Sequence, residues 1–130
     1  MKTWLFVMLG GGLGASLRYG LSLWLNPRAA HVFFSSIPLG TLIANWLGCF
    51  TLGIIMGYMP GSSPLRIGLT TGFMGGLTTF STFSAESAEL IMKNTPWRAI
   101  LHFSLHNGIG ILLVIVGLSF GLNFGTKASS

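Results

Sequence analysis

Charge is nearly absent from this chain. Only 7% of its 130 residues are charged, and the acids number two, Glu86 and Glu89. A soluble domain usually carries about 25% charged residues. So little charge cannot cover a water-facing surface, and the chain reads as an integral membrane protein. Its length allows one domain, residues 1–130. Cysteine is limited to Cys49, which excludes an intrachain disulfide and any multi-cysteine metal site. Aspartate is missing altogether, so no Ser-His-Asp set exists, and no phosphate loop is present. The chain is not expected to be an enzyme. The pI of 10.2 rests on few bases: Lys2, Arg18, Arg28, Arg66, Lys93, Arg98 and Lys127. They are scattered, with no cluster to track a nucleic-acid backbone, which excludes that partner.

Hydrophobic residues are plentiful, at 51%. A membrane-crossing helix needs about 20 mostly apolar residues. Four segments qualify: 3–25, 37–59, 65–92 and 97–122. Residues 1–10 resemble a signal peptide, but the apolar run continues past Arg18 and is long enough to span. Asn26-Pro27-Arg28, Pro60-Gly61-Ser62-Ser63-Pro64 and Lys93-Asn94-Thr95-Pro96 read as connectors, and the tail from Gly125 as frayed. Glycines recur at four-residue spacing: Gly10/Gly14, Gly53/Gly57, Gly68/Gly72/Gly76 and Gly117/Gly121. In lipid such spacing lets helix backbones approach closely. The Gly10–Gly14 run lies inside an apolar segment, so it reads as packing rather than a nucleotide loop.

The third segment breaks its own pattern. Residues 72–84 read Gly-Phe-Met-Gly-Gly-Leu-Thr-Thr-Phe-Ser-Thr-Phe-Ser. Lipid offers no partner to an unpaired backbone group, so non-helical backbone survives there only when buried in protein or lining a wet path. A break near Gly75–Thr78 would free carbonyls able to hold a cation such as Na⁺. Phe80 and Phe83, three apart, share a face, and the positive edges of their rings can meet an anion. Simple packing of the two rings is the weightier reading on spacing alone.

Other polar groups leave alternatives open. Arg18 either draws anions toward a vestibule or bonds carbonyls of a broken helix. Thr41 and Asn45 share a helix face and serve either a ligand or a neighbouring helix. Glu86 and Glu89 are three apart; Glu86 is a candidate partner for Arg18 in its own or a second chain. His102 and His106, four apart, suit zinc, but no third ligand is evident in the sequence, and a core or aqueous-lining role outweighs it. With four spans, Lys2, Arg66 and Lys127 fall on one side and Arg28, Lys93 and Arg98 on the other. That balance gives the positive-inside rule nothing to act on and predicts insertion in both orientations. Opposed copies can pair about a two-fold axis in the membrane plane.

Size, four spans, the Gly-rich first span with its Arg18, Gly-Thr-Leu-Ile-Ala-Asn at 40–45 and Gly-Gly-Leu-Thr-Thr-Phe-Ser-Thr-Phe-Ser at 75–84 together resemble the CrcB/Fluc family of fluoride channels. The resemblance covers essentially the whole chain. It implies an all-α protein with four transmembrane helices and a broken third helix. It implies an antiparallel dual-topology homodimer, multi-pass in the bacterial inner membrane, with fluoride and the lipid bilayer as its other partners. One structural Na⁺ would sit at the dimer centre on the backbone carbonyls of Gly75 and Thr78. Phe80 and Phe83 would line the fluoride pathway, with Asn45 donating to the ion and Thr41 on the same face. Thr79, Ser81 and Ser84 would add hydroxyls, and Arg18 would match the family's first-span base. Glu86 matches the acidic position after the motif. One departure stands out: relatives offer Tyr and Ser hydroxyls from the fourth span, where this chain presents His102, His106 and Gly110.

The implied mechanism is passive fluoride exit, which lowers fluoride in the cytoplasm. The rival reading is a small multidrug-type proton-coupled antiporter. That class needs a carboxylate in the first span, where this chain has Arg18 and no acid. A non-transporting packing subunit would leave the 72–84 stretch unexplained.

Overall fold

The computed structural model describes residues 1–29 and 37–128, and every regular element among them is helical. Helix α1 is Lys2–Ala29 and α2 is Leu39–Tyr58. The run 64–77, here α3, starts as Pro64–Ile67, widens to π-helical spacing over Gly68–Met74 and closes with the turn Gly75–Leu77. Helix α4 is Phe80–Met92. The last rod, α5, joins Pro96–Ser104, a π-helical stretch Leu105–Ile109, and Gly110–Ala128. Two helices, Leu39–Tyr58 and Pro96–Gly125, are long and apolar enough to cross a membrane by length and composition, with mean hydropathy 1.7 and 2.0.

The connectors at 60–64 and 93–96 behave as their residues dictate. Gly61 takes φ 86°, and the Ser63 hydroxyl accepts the Arg66 N–H at 3.2 Å, capping α3 with Pro64 in its first turn. Asn94 turns the chain at φ 55°, a left-handed conformation that asparagine tolerates after a helix. The expected connector at 26–28 is instead helical, with Pro27 inside α1. The proline removes one backbone donor, a loss confined to the last turn of the helix. The Asn26 carbonyl oxygen also accepts the Gly40 N–H at 2.8 Å, tying the end of α1 to the start of α2. Helix continues through Ala128, past the point where fraying is expected. The side chains of Arg28 and Lys127, which enter the orientation argument, lie outside the described part.

Two close helix pairs organise the fold, and the glycine spacing builds both. A Cβ at Gly10 would meet the Gly68 carbonyl, at Gly14 the Phe73 carbonyl, and at Gly76 the Gly11 carbonyl, so α1 lies backbone to backbone against α3. A Cβ at Gly53 would meet the Val114 carbonyl, at Gly117 that of Phe50, and at Gly121 that of Ile54, which seats α2 on α5. Between the pairs, Ala44, Ile55, Met74 and Leu77 form the buried centre, with Leu52, Leu69 and Phe73 against it. Trp4, Leu9 and Leu13 on α1 and Ile111, Leu112 and Ile115 on α5 are exposed on the single chain. Such broad apolar surface suits lipid or a second protein, not water.

Candidate functional site

Helix α3 ends because two consecutive threonines leave the helical region. Thr78 has φ −83°, ψ 153° and Thr79 φ −149°, ψ 125°, both extended. Several of the backbone groups around the break find partners. Thr78 holds on to α3 through its N–H and hydroxyl, both donating to the Met74 carbonyl, at 2.9 and 2.8 Å. The Thr79 N–H, which a continuing helix would give to Gly75, donates to Asn45 Oδ1 at 2.8 Å. Asn45 Nδ2 returns a hydrogen to the Thr79 carbonyl at 3.2 Å. One side-chain amide on α2 thus pairs both polar groups of a residue without helical partners, which meets the requirement that buried backbone be satisfied. The Gly76 carbonyl accepts Arg18 Nε at 3.2 Å. Thr79 then caps α4, its hydroxyl accepting the Thr82 N–H at 3.2 Å.

Phe83, one turn into α4, is buried at the centre of an aromatic group. Its ring lies 5.3 Å from His102 in a stacked arrangement, 4.8 Å from His106, 5.6 Å from Phe80 and 6.0 Å from Phe103. Phe80, by contrast, is 78% exposed. An open cleft of about 330 Å³ runs along this group, lined by Asn45, Gly75, Thr78, Thr79, Phe80, Phe83 and His106, with Cys49 and Asn107. A second, almost wholly apolar groove on the other side of Phe80 and Phe83 holds Ser84 and Ser87.

Residues 5–118 match the family of CrcB-like protein, Camphor Resistance (CrcB). The chain belongs to the CrcB family. Among relatives, a protein of Chloroflexus aurantiacus named fluoride-specific ion channel FluC is 38% identical over 130 residues, covering 96% of this chain and 99% of its own. A Clostridium perfringens protein of the same name is 44% identical over 117 residues, 87% of this chain and 88% of that one. A third, from Aromatoleum aromaticum, is 42% identical over 121 residues, 90% and 88% of the two chains. Membership in the CrcB family makes the chain a membrane protein, in line with its composition.

Within this CrcB chain, Asn45, Thr79, Phe80, Phe83 and His106, expected along a fluoride pathway, and Gly75 and Thr78, expected at a Na⁺ site, all line the cleft. Arg18, Thr41, Ser81 and Ser84 lie off it. Arg18 takes the carbonyl-bonding role of its two readings. Thr41 is buried and its hydroxyl donates to Glu86 Oε1 at 2.6 Å. The expected pairing of Glu86 with Arg18 does not occur within the chain. Glu86 instead places Oε2 3.4 Å from His102 Nε2, because α4 packs against α5 there. Ser81 contacts the Thr79 hydroxyl at 3.2 Å, and the Ser84 hydroxyl donates to the Phe80 carbonyl at 2.9 Å, so both are engaged locally. Sequence reasoning pairs His102 with His106 as a zinc-type set, outweighed by a core or aqueous-lining role, and finds no third group for it. The structure supplies it, since Glu86, His102 and His106 each bring a ligand-type atom within 4.8 Å of the others. The sequence signal was slender: Glu86 is one of only two acids in the chain and lies sixteen residues from the nearer histidine.

Proposed function

We infer that this chain is a fluoride-selective channel, not an enzyme, that lets fluoride leave the cytoplasm passively across the bacterial inner membrane. The reading draws on the relatives' shared name and is carried by one observation. A single cleft gathers an amide, two extended threonines and two phenylalanines along the end of α3. Fluoride would pass with the ring edges of Phe80 and Phe83 toward it, an attraction weak enough to let the ion go on. Asn45 can offer it a hydrogen by releasing His106, while its bonds to Thr79 keep the backbone in place. Thr79 adds a hydroxyl at the same wall. Thr41, Ser81, Ser84 and Arg18 support the route by holding Glu86, the α4 start and the α3 end.

The working unit is an antiparallel homodimer of chains inserted in both orientations, four spans each, with the Thr78–Thr79 interruption as the functional break. Phe80, exposed on the single chain, needs a second copy or lipid to cover it, and a route past it needs the former. Structural Na⁺ fits the same feature. Gly75 is exposed, and its carbonyl has lost the Thr79 N–H to Asn45, leaving a hard oxygen donor at the surface where two copies would meet. Gly75 and Thr78 of each copy would hold the ion, which would supply positive charge at the centre of the dimer. The antiporter alternative lacks support, since α1 holds no carboxylate.

The test is efflux from liposomes loaded with fluoride, followed by a fluoride electrode, with chloride-loaded vesicles in parallel. Rapid fluoride release without chloride release is expected. No fluoride release from folded dimer would remove the reading.

A further inference from the structure

Counting hydrogens around Glu86, His102 and His106 leaves the cluster one short. The Ser87 hydroxyl has a single hydrogen and gives it to the Phe83 carbonyl at 2.8 Å. Its 3.0 Å contact with His102 Nδ1 therefore has the histidine as donor. A neutral His102 carrying its hydrogen on Nδ1 presents a bare Nε2. The amide of Asn45 is oriented by Thr79, whose N–H must meet Oδ1. Nδ2, which can only donate, then faces His106 Nδ1 at 3.0 Å, so that nitrogen accepts and His106 carries its hydrogen on Nε2. Glu86 Oε1 is taken by the Thr41 hydroxyl.

Within the cluster, three buried atoms remain without a hydrogen-bond partner: Glu86 Oε2, His102 Nε2 and His106 Nε2. His102 is 0% exposed, His106 8%, and the Glu86 side chain 15%. Glu86 Oε2 and His102 Nε2 are two acceptors facing each other at 3.4 Å, a costly contact in a dry interior. One added proton turns it into an imidazolium–carboxylate ion pair, with a His106 ring nitrogen within 4.8 Å of both. We propose that Glu86, His102 and His106 form a buried binding site for one proton, and that its filling sets whether fluoride passes.

A divalent metal is the obvious competitor, since two histidines and a glutamate make a zinc-type set. A metal needs a lone pair from each ligand, and Asn45 keeps the hydrogen of His106 on the nitrogen that would have to bind. One proton is enough to turn the 3.4 Å His102–Glu86 contact into an ion pair, without a lone pair from His106. The site adjoins the route proposed above, on which the functional half of this inference rests. Phe83 stacks on His102, and His106 lines the cleft. Filled, the cluster pairs an imidazolium with a carboxylate and carries no net charge. Empty, it leaves one negative charge beside an anion pathway in low dielectric, where repulsion is strong. Conduction therefore falls as pH rises. Other titratable groups bear on the site less directly. Cys49 on α2 lines the cleft, and Arg18 on α1 is engaged at Gly76. Glu89 on α4 pairs with Lys93 at 3.1 Å on the exposed surface.

The experiment has two readouts on the same preparation, over about pH 5 to 8, where imidazoles titrate. Nitrogen-15 NMR of histidine-labelled protein reports which ring nitrogens carry hydrogen. Fluoride efflux from liposomes with equal pH inside and out is followed in parallel, with protein-free vesicles subtracting leak of the uncharged acid. The expected result is one buried histidine passing from doubly protonated to Nδ1–H as pH rises, another staying Nε2–H, and a several-fold loss of efflux over the same step. His102→Gln should remove the pH step in efflux. Spectra showing both buried histidines neutral and unchanging throughout would overturn the site, and this holds even if the variant fails to fold. A stable step in the spectra with no fluoride flux at any pH would leave the proton site standing and remove the channel reading instead. Shifts of both histidines on adding one equivalent of Zn²⁺ would make it a metal site and overturn the proposal.

Discussion

Asn45 is the residue on which the local architecture turns. It has two donors and an acceptor, and all are in use: Thr79 N–H and carbonyl on one side, His106 Nδ1 on the other. Asn45→Leu keeps volume and removes every one of those bonds. Leaving a buried polar group unsatisfied costs about 1–3 kcal/mol. The variant is expected to unfold at lower denaturant or temperature than the parent by a corresponding amount, and an unchanged midpoint would show that Thr79 finds other partners. The sequence revealed that Asn45 is polar in an apolar span and that its face includes Thr41. It did not reveal the partner, since Thr79 lies 34 residues away and only the packing of α2 against the end of α3 brings them together. Arg18 teaches the same lesson over 58 residues. Its role was legible as one of two options, and the choice depended on where a carbonyl would lose its helical partner.

At the scale of elements, spacing proved more readable than boundaries. Four-residue glycine periods mark both close pairs, α1 with α3 and α2 with α5, because only a residue without Cβ lets a neighbouring carbonyl come so near. Gly14→Val should therefore separate α1 from α3 and abolish properly assembled protein, as judged by size-exclusion profile and membrane yield. Gly20→Ala, where an added Cβ meets nothing within 4 Å, should leave both unchanged. Equal behaviour of the two variants would mean that the close approach does not hold the helices together. Boundaries were less legible. Pro27 and Arg28 look like a connector, yet α1 runs to Ala29. The break was expected near Gly75–Thr78; Gly75–Leu77 is helical, and the extended residues are Thr78 and Thr79. The reason is capping: Thr79 has a hydroxyl placed to start α4, whereas Gly76 packs on α1 and stays in the helix that α1 supports.

For the whole molecule, one chain provides a half-open arrangement rather than a closed path. Phe83 is buried among two histidines and a phenylalanine, while Phe80 on the next turn is bare. The cleft between α2, the end of α3 and α5 is open along the side that Phe80 occupies. A second copy facing the other way would close that side and bring the Gly75 carbonyls of two chains toward a common cation. The central claim is that fluoride travels along the Phe83 wall of this cleft. Its most direct test is fluoride efflux from liposomes carrying Phe83→Ile, compared with the parent protein at equal protein content. Isoleucine fills space without an electropositive ring edge, so efflux should fall to the level of empty vesicles while the protein stays folded. Parental fluoride efflux through Phe83→Ile would contradict the claim and move the route away from this cleft.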